Sequence, residues 1–194
     1  MKTIIKTGLA AILLMVISCT KESLNPYSNA SIKAEENAAV KTGGHYIGEH
    51  FGGGVIFWIS KNGLHGLIAD TVDLGLATWS KGRNITTGDT ATAIGTGRSN
   101  TKNIILAQGT RRYAALACAR YKGSGYTDWF LPSKDELNEL YKQKNLVGGF
   151  AYSFYWSSSE YDRYRAWGQY FSDGFQDAHP KGDTAYNVRA VRAY

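Results

Sequence analysis

Cysteine and proline are both scarce in this 194-residue chain, and each scarcity excludes something. Two cysteines, Cys19 and Cys118, cannot build a disulfide-dense scaffold or a four-thiolate zinc site. The three prolines, Pro26, Pro132 and Pro180, lack the carboxylate–proline–amide setting from which a calcium-dependent sugar site is made. His45, His50, His65 and His179 show no ligand spacing, so no metal is expected. Ser157, Ser158 and Ser159 have an acid beside them, Glu160, and no evident base, which argues against a nucleophile. Gly95-Thr96-Gly97 follows no strand of a βαβ unit, so a phosphate cradle is not expected there. The chain reads as no enzyme and as binding no cofactor. Its longest apolar run, 9–17, is too short to span a bilayer.

That run has a different use. Lys2 and Lys6 precede it and Val16-Ile17-Ser18-Cys19 ends it, the layout of an export signal whose last residues resemble a lipobox. The expectation is a signal peptide over 1–18 and diacylglycerol on the Cys19 sulfur, with two acyl chains sufficient for stable membrane anchoring. Residues 19–42, polar and without an apolar period, read as a lipidated tether. Thr20-Lys21-Glu22-Ser23 resembles a surface-export signal, and the expected location is the outer membrane, facing outward. Residues 43–194 are long enough for one domain with a real core.

Losing Lys2 and Lys6 lowers the formal charge from +6 to +4, and that charge is unevenly placed. Lys61, Lys81, Arg83, Arg98, Lys102, Arg111, Arg112, Arg120 and Lys122 face only Asp70, Asp73 and Asp89 in the same stretch. This basic middle could attract a polyanion such as a sulfated glycan. Nucleic acid is not an expected partner of an exported domain.

Val55–Ile59 is a continuous β-forming apolar run, Lys61-Asn62-Gly63 a hairpin turn, and 64–69 the returning strand. Helices are predicted over 100–108 and 111–121, the second carrying Ala114, Ala117, Cys118 and Tyr121 on one face, with Cys118 a buried structural thiol. Ser133 and Glu136 form a capping box that opens a segment burying Leu137, Leu140 and Tyr141, and Gly148-Gly149 ends it. Strand-like pieces follow at 155–157, 166–171 and 188–194. The class expected is α+β: an N-terminal hairpin, two central helices and C-terminal strands.

Several ordered motifs carry a family resemblance. They are Gly52-Gly53-Gly54-Val55-Ile56-Phe57, Ile94-Gly95-Thr96-Gly97, Trp129-Phe130-Leu131-Pro132-Ser133-Lys134-Asp135-Glu136-Leu137, Tyr155-Trp156-Ser157-Ser158-Ser159-Glu160 and Val188-Arg189-Ala190-Val191-Arg192-Ala193. Together they resemble the Lcl C-terminal domain family over about residues 43–194. The resemblance implies a C-type-lectin-like fold and a binding role, and the family's collagen-linked members bind sulfated glycans.

Residues 155–194 also resemble the variable region of a diversity-generating retroelement target, in which AAC codons are mutagenised at their adenines. Such codons cannot reach Trp, Gln, Lys, Glu or Met. Here those types occur at Trp156, Glu160, Trp167, Gln169, Gln176 and Lys181, which read with Val188 and Val191 as scaffold. The ligand-binding side chains implied between them are Asp162, Arg163, Tyr164, Arg165, Gly168, Tyr170, Ser172, Asp173, Phe175, Asp177, His179, Asp183 and Tyr186. Their mixture of rigid aromatics with small polar residues is that of antibody loops, with Tyr164, Arg165, Tyr170 and Phe175 as anchors for a protein or glycan on another surface.

Overall fold

The Val55–Phe57 run becomes fully buried, as its composition requires, in a computed structural model that describes residues 44–82, 85–182 and 184–194. These all lie within one compact unit. The expected signal peptide and the expected tether with Cys19, together with Arg83 and Asp183, lie outside the described residues.

Strands β1 (His50–Phe51), β2 (Gly54–Ile59), β3 (Gly66–Ala69) and β4 (Leu76–Thr78) come first. Helices α1 (Gly97–Gln108), α2 (Ala114–Arg120), α3 (Lys134–Lys142) and α4 (Lys144–Val147) follow, with a 3-10 turn at Gly123–Gly125. Strands β5 (Phe154–Glu160), β6 (Arg165–Tyr170), β7 (Gln176–Pro180), β8 (Ala185–Asn187) and β9 (Val191–Ala193) complete the described elements. The class is α+β. The predicted hairpin is β2–β3, with Val55 opposite Ala69 and Gly63 at φ +70° in the turn. Four helices stand where two central ones were expected, because the capped segment is itself helical and a second short helix follows it.

Two sheets result. One has the order β1-β2-β3-β9, the other β4-β8-β5-β6-β7, and every pairing is antiparallel except that of β5 with β8. The chain passes between them at 188–190, where Val188, Arg189 and Ala190 are all buried. Arg189 is charged and fully buried because its guanidinium finds partners on every side. It donates to Asp73 Oδ1 at 2.7 Å and to the carbonyls of Asp70, Gly148 and Gly149 at 2.7–3.1 Å.

Alternation on β5 sends neighbouring side chains into different clusters. Tyr155 joins Phe57, Leu67, Leu137, Leu140, Phe171 and Val191. Trp156 joins Trp79, Ile104, Tyr113, Trp129 and Val188 beside α1 and α2. Cys118 is buried in the latter cluster, and burial pushes its thiol well above the ordinary range. None of the helices among the described residues is long and apolar enough to cross a membrane.

The capping box is present: Ser133 Oγ accepts from Glu136 N at 3.3 Å, and Ser133 N donates to the Glu136 carboxylate at 2.7 Å. The carboxylate also takes Gly95 N at 2.8 Å. A Cβ on Gly97 would lie 2.1 Å from that carboxylate, so only glycine admits it at the start of α1. The Gly95-Thr96-Gly97 turn is thus a cradle for the protein's own buried acid.

Candidate functional site

Every scaffold residue named from codon reach, except two, is buried. Trp156, Glu160, Gln169, Lys181, Val188 and Val191 are at most 2% exposed, whereas Gln176 and Trp167 are half-buried. Trp167, read from the sequence as scaffold, lies under the Lys134 ammonium, 4.1 Å from its ring centre, with the Tyr161 ring edge-on at 5.0 Å. It lies on the same side of the sheet as Arg165 and Gln169, beneath the first residue of α3.

Polar scaffold residues hold the loops by hydrogen bonds. Lys181 Nζ is paired to the Glu160 carboxylate and donates to the carbonyls of Ile85 at 2.9 Å and Arg163 at 3.3 Å. Glu160 in turn accepts from Thr87 N at 3.1 Å and Gly88 N at 2.7 Å. Burial holds the Lys181 ammonium below its ordinary pKa, against the opposing pull of Glu160. Gln169 Nε2 donates to Gly174 O at 3.0 Å and Asn138 Oδ1 at 2.9 Å, fixing the β6–β7 turn.

On this frame the expected recognition residues fall into three groups. The β5–β6 loop carries Asp162, Arg163, Tyr164 and Arg165. Asp162 Oδ1 accepts from the backbone N–H groups of Tyr164 and Arg165, both at 2.7 Å, and Oδ2 binds the Arg165 guanidinium at 2.7–2.9 Å. Those bonds hold the Asp162 carboxyl below its ordinary range. Arg165 also lies over the Tyr161 ring at 4.4 Å, and Tyr164 is 55% exposed.

The β6–β7 loop carries Ser172, Asp173 and Phe175. Phe175 is 60% exposed, and its N–H donates to Asp173 Oδ1 at 2.9 Å. Lys144 Nζ braces this loop through the carbonyls of Phe171 and Ser172 at 2.7 and 3.0 Å. The two loops sit at opposite ends of β6, about 17 Å apart along the strand.

The third group lies on the sheet itself: Gly168, Tyr170, Asp177, His179 and Tyr186. Phe154 is opposite Tyr170, Trp156 is opposite Gly168, and Gly168 is opposite Asp177, so these residues share a face. Phe154 stands at the centre, 5.0 Å from the Tyr170 ring, 4.5 Å from His179 and 5.0 Å from Tyr186, on which it stacks. Gly168 is buried and contributes space: its missing Cβ would fall 3.6 Å from Phe154 and 3.7 Å from His179, which meet across β6 because nothing stands between them. Burial lowers the His179 pKa, with Asp177 opposing, and the buried Nε2 has no hydrogen-bond partner among the described residues. Tyr170 is thus half-buried rather than free. Asp183 lies outside the described residues.

Phe154 lies one residue before the 155–194 stretch, so the variable-region resemblance does not reach it. Its period-two spacing from Trp156 on a strand was the available signal. Elsewhere, Lys61, Lys81, Arg98, Lys102, Arg111, Arg112, Arg120 and Lys122 are all exposed, and Arg83 is outside the described residues. Among the described residues, no group of three or more His, Cys, Asp or Glu could hold a metal ion.

No curated protein matches the chain in sequence. The family model of the Lcl C-terminal domain does match, starting just after the β2–β3 hairpin and taking in all three groups of side chains. It covers residues 71–192, more than half of the chain, and the protein belongs to the Lcl C-terminal domain family.

Proposed function

We propose that this is a surface lipoprotein, anchored through Cys19, whose C-type-lectin-like domain binds a partner through diversified side chains between residues 161 and 186. The observation that carries the reading is the separation of residue types. The types an AAC codon cannot reach at Glu160, Gln169 and Lys181 are buried and bonded to backbone, while Arg163, Tyr164, Arg165, Ser172, Asp173, Phe175 and Asp177 are exposed. Such a frame tolerates replacement of the exposed side chains, since surface changes cost little. The lectin-like arrangement is supported by the sheet that joins the early strands β1–β3 to the late strand β9. Rigid aromatics with short polar neighbours supply contact area at low entropy cost, and no catalytic role is proposed for any of them.

The test needs no ligand. Deep sequencing of the gene across a population is expected to show substitutions confined to adenines of the codons for the named positions. Codons 160, 169 and 181 are expected to stay constant, with a reverse transcriptase gene and a near-copy of the stretch nearby. Variation spread evenly over codon positions, or a locus without those elements, overturns the diversified reading.

A second reading rests on the exposed cations Lys81, Arg98, Lys102, Arg111 and Arg112: adhesion to a sulfated glycan. Its signature is retention on immobilised heparin that collapses as ionic strength rises and that survives serine substitution at Tyr164 and Phe175.

A further inference from the structure

We propose that the cleft between α1, Ala119 of α2 and residues 127–130 is a second binding site, for a small amphiphile with a medium-length apolar chain and an anionic head. The cleft holds about 300 Å³, within the range of small-molecule sites, and opens to solvent. Its inner wall is Trp129 and Phe130, which are almost fully buried and therefore fixed in place. Its mouth is not neutral. Arg98 and Lys102 stand four residues apart on one flank of α1, and both are exposed.

The acid at the mouth is outnumbered. Asp128 already binds the Arg192 guanidinium at 2.8 and 3.2 Å and accepts from Arg98 Nη2 at 3.3 Å. One carboxylate thus serves two guanidiniums, with Lys102 in addition, and the mouth is left cationic.

The lining changes character along α1. It begins with Arg98 and Lys102 and ends with Ile105 and Leu106, and Leu106 is 74% exposed, a large apolar side chain left in water beside the cleft. Residues 98 and 106 are about 12 Å apart along the axis, the length of a medium acyl chain lying with its head at the cations and its tail at Leu106. A sulfated glycan would use the cations and leave the apolar half unfilled, which is why an amphiphile fits better.

Decanoate is the probe, titrated into the folded domain while backbone amide resonances are followed. Saturable shifts confined to residues 98–106, 119 and 127–130 are expected, with weaker binding of decanol, which has the same tail and no charge. Lys102→Glu and Leu106→Asp, both at exposed positions, are each expected to weaken decanoate about tenfold, and serine at Tyr164 and Phe175 is expected to leave it unchanged. The proposal is overturned if shifts fail to saturate, if decanol binds as well as decanoate, or if neither α1 substitution matters. Competition by heparin fragments that removes all binding of decanoate and decanol alike would also overturn it, in favour of a plain polyanion surface. Binding to anionic vesicles but not to monomeric decanoate would reassign the face to a membrane and overturn the pocket.

Discussion

Lys181→Met is the sharpest test of how the proposed recognition loops are held. The ammonium is buried, and its three partners come from three places: the Glu160 carboxylate, Ile85 O and Arg163 O. Methionine fills a similar volume over the Trp79 ring, which the ammonium faces at 4.7 Å, so the loss is almost wholly electrostatic. It leaves a buried carboxylate with amide donors and no counter-charge. Removing one member of a buried pair costs about 3–5 kcal/mol. For a domain of roughly 150 residues that lowers the melting temperature by about 10 °C. Calorimetry and urea unfolding measure it, and adding Glu160→Gln to Lys181→Met is expected to recover part of the loss, because the uncompensated charge is then gone. A cost below about 1 kcal/mol, the range of an exposed pair, would refute the claim that this pair is buried and that it ties the 85–88 segment to the β5–β6 loop.

Trp156→Ala is expected to cost about 3–5 kcal/mol, while Trp167→Ala, half-buried under Lys134, is expected to cost about 1–2 kcal/mol; chemical denaturation separates them. Because the His179 pKa lies below its ordinary 6.5 in the fold, the neutral ring is favoured: its contribution is complete above pH 6.5 and declines as pH falls from there toward the lowered value. Stability curves at pH 7.5 and 5.5 are expected to diverge less in His179→Asn than in the wild type. Cys118 is expected to resist iodoacetamide in the folded protein and to react fully in urea, as mass spectrometry would show. Cys19→Ala is expected to leave the leader uncleaved or to release the protein from membranes, and a normally processed, membrane-bound variant would contradict the anchor.

What could be read from the sequence had a local cause. The Val55–Ile59 run, the Asn62-Gly63 turn and the Ser133/Glu136 box each act within a few residues, and each appears where expected. Strands β4, β7 and β8 carried no signal, since they have three to five residues and no alternating apolar pattern; their partners supply the order. Helix α1 begins three residues before its predicted start because Gly97, a poor helix former, is fitted against Glu136, thirty-nine positions later in the chain. The proposed recognition residues follow from residue type alone. Their division into two loops and one aromatic sheet face depends on register, and composition holds no record of register. Nor could it show that Lys181 and Glu160, which look like surface charges, meet in the interior.

The place of β9 has a consequence for how such a protein tolerates change. This strand follows the whole 161–186 stretch in the chain, yet it pairs with β3 in the other sheet and bridges Phe130 through Val191. Any copying error that shifts the reading frame between those positions replaces Val188, Arg189 and Val191. The first sheet then loses its last strand, and Asp73 loses its buried partner. A frameshifted chain cannot complete the core and is open to proteolysis, whereas a chain with every exposed side chain replaced in frame still closes. Under the proposed diversification, folding itself would act as a proofreading step, admitting substitutions and discarding shifts.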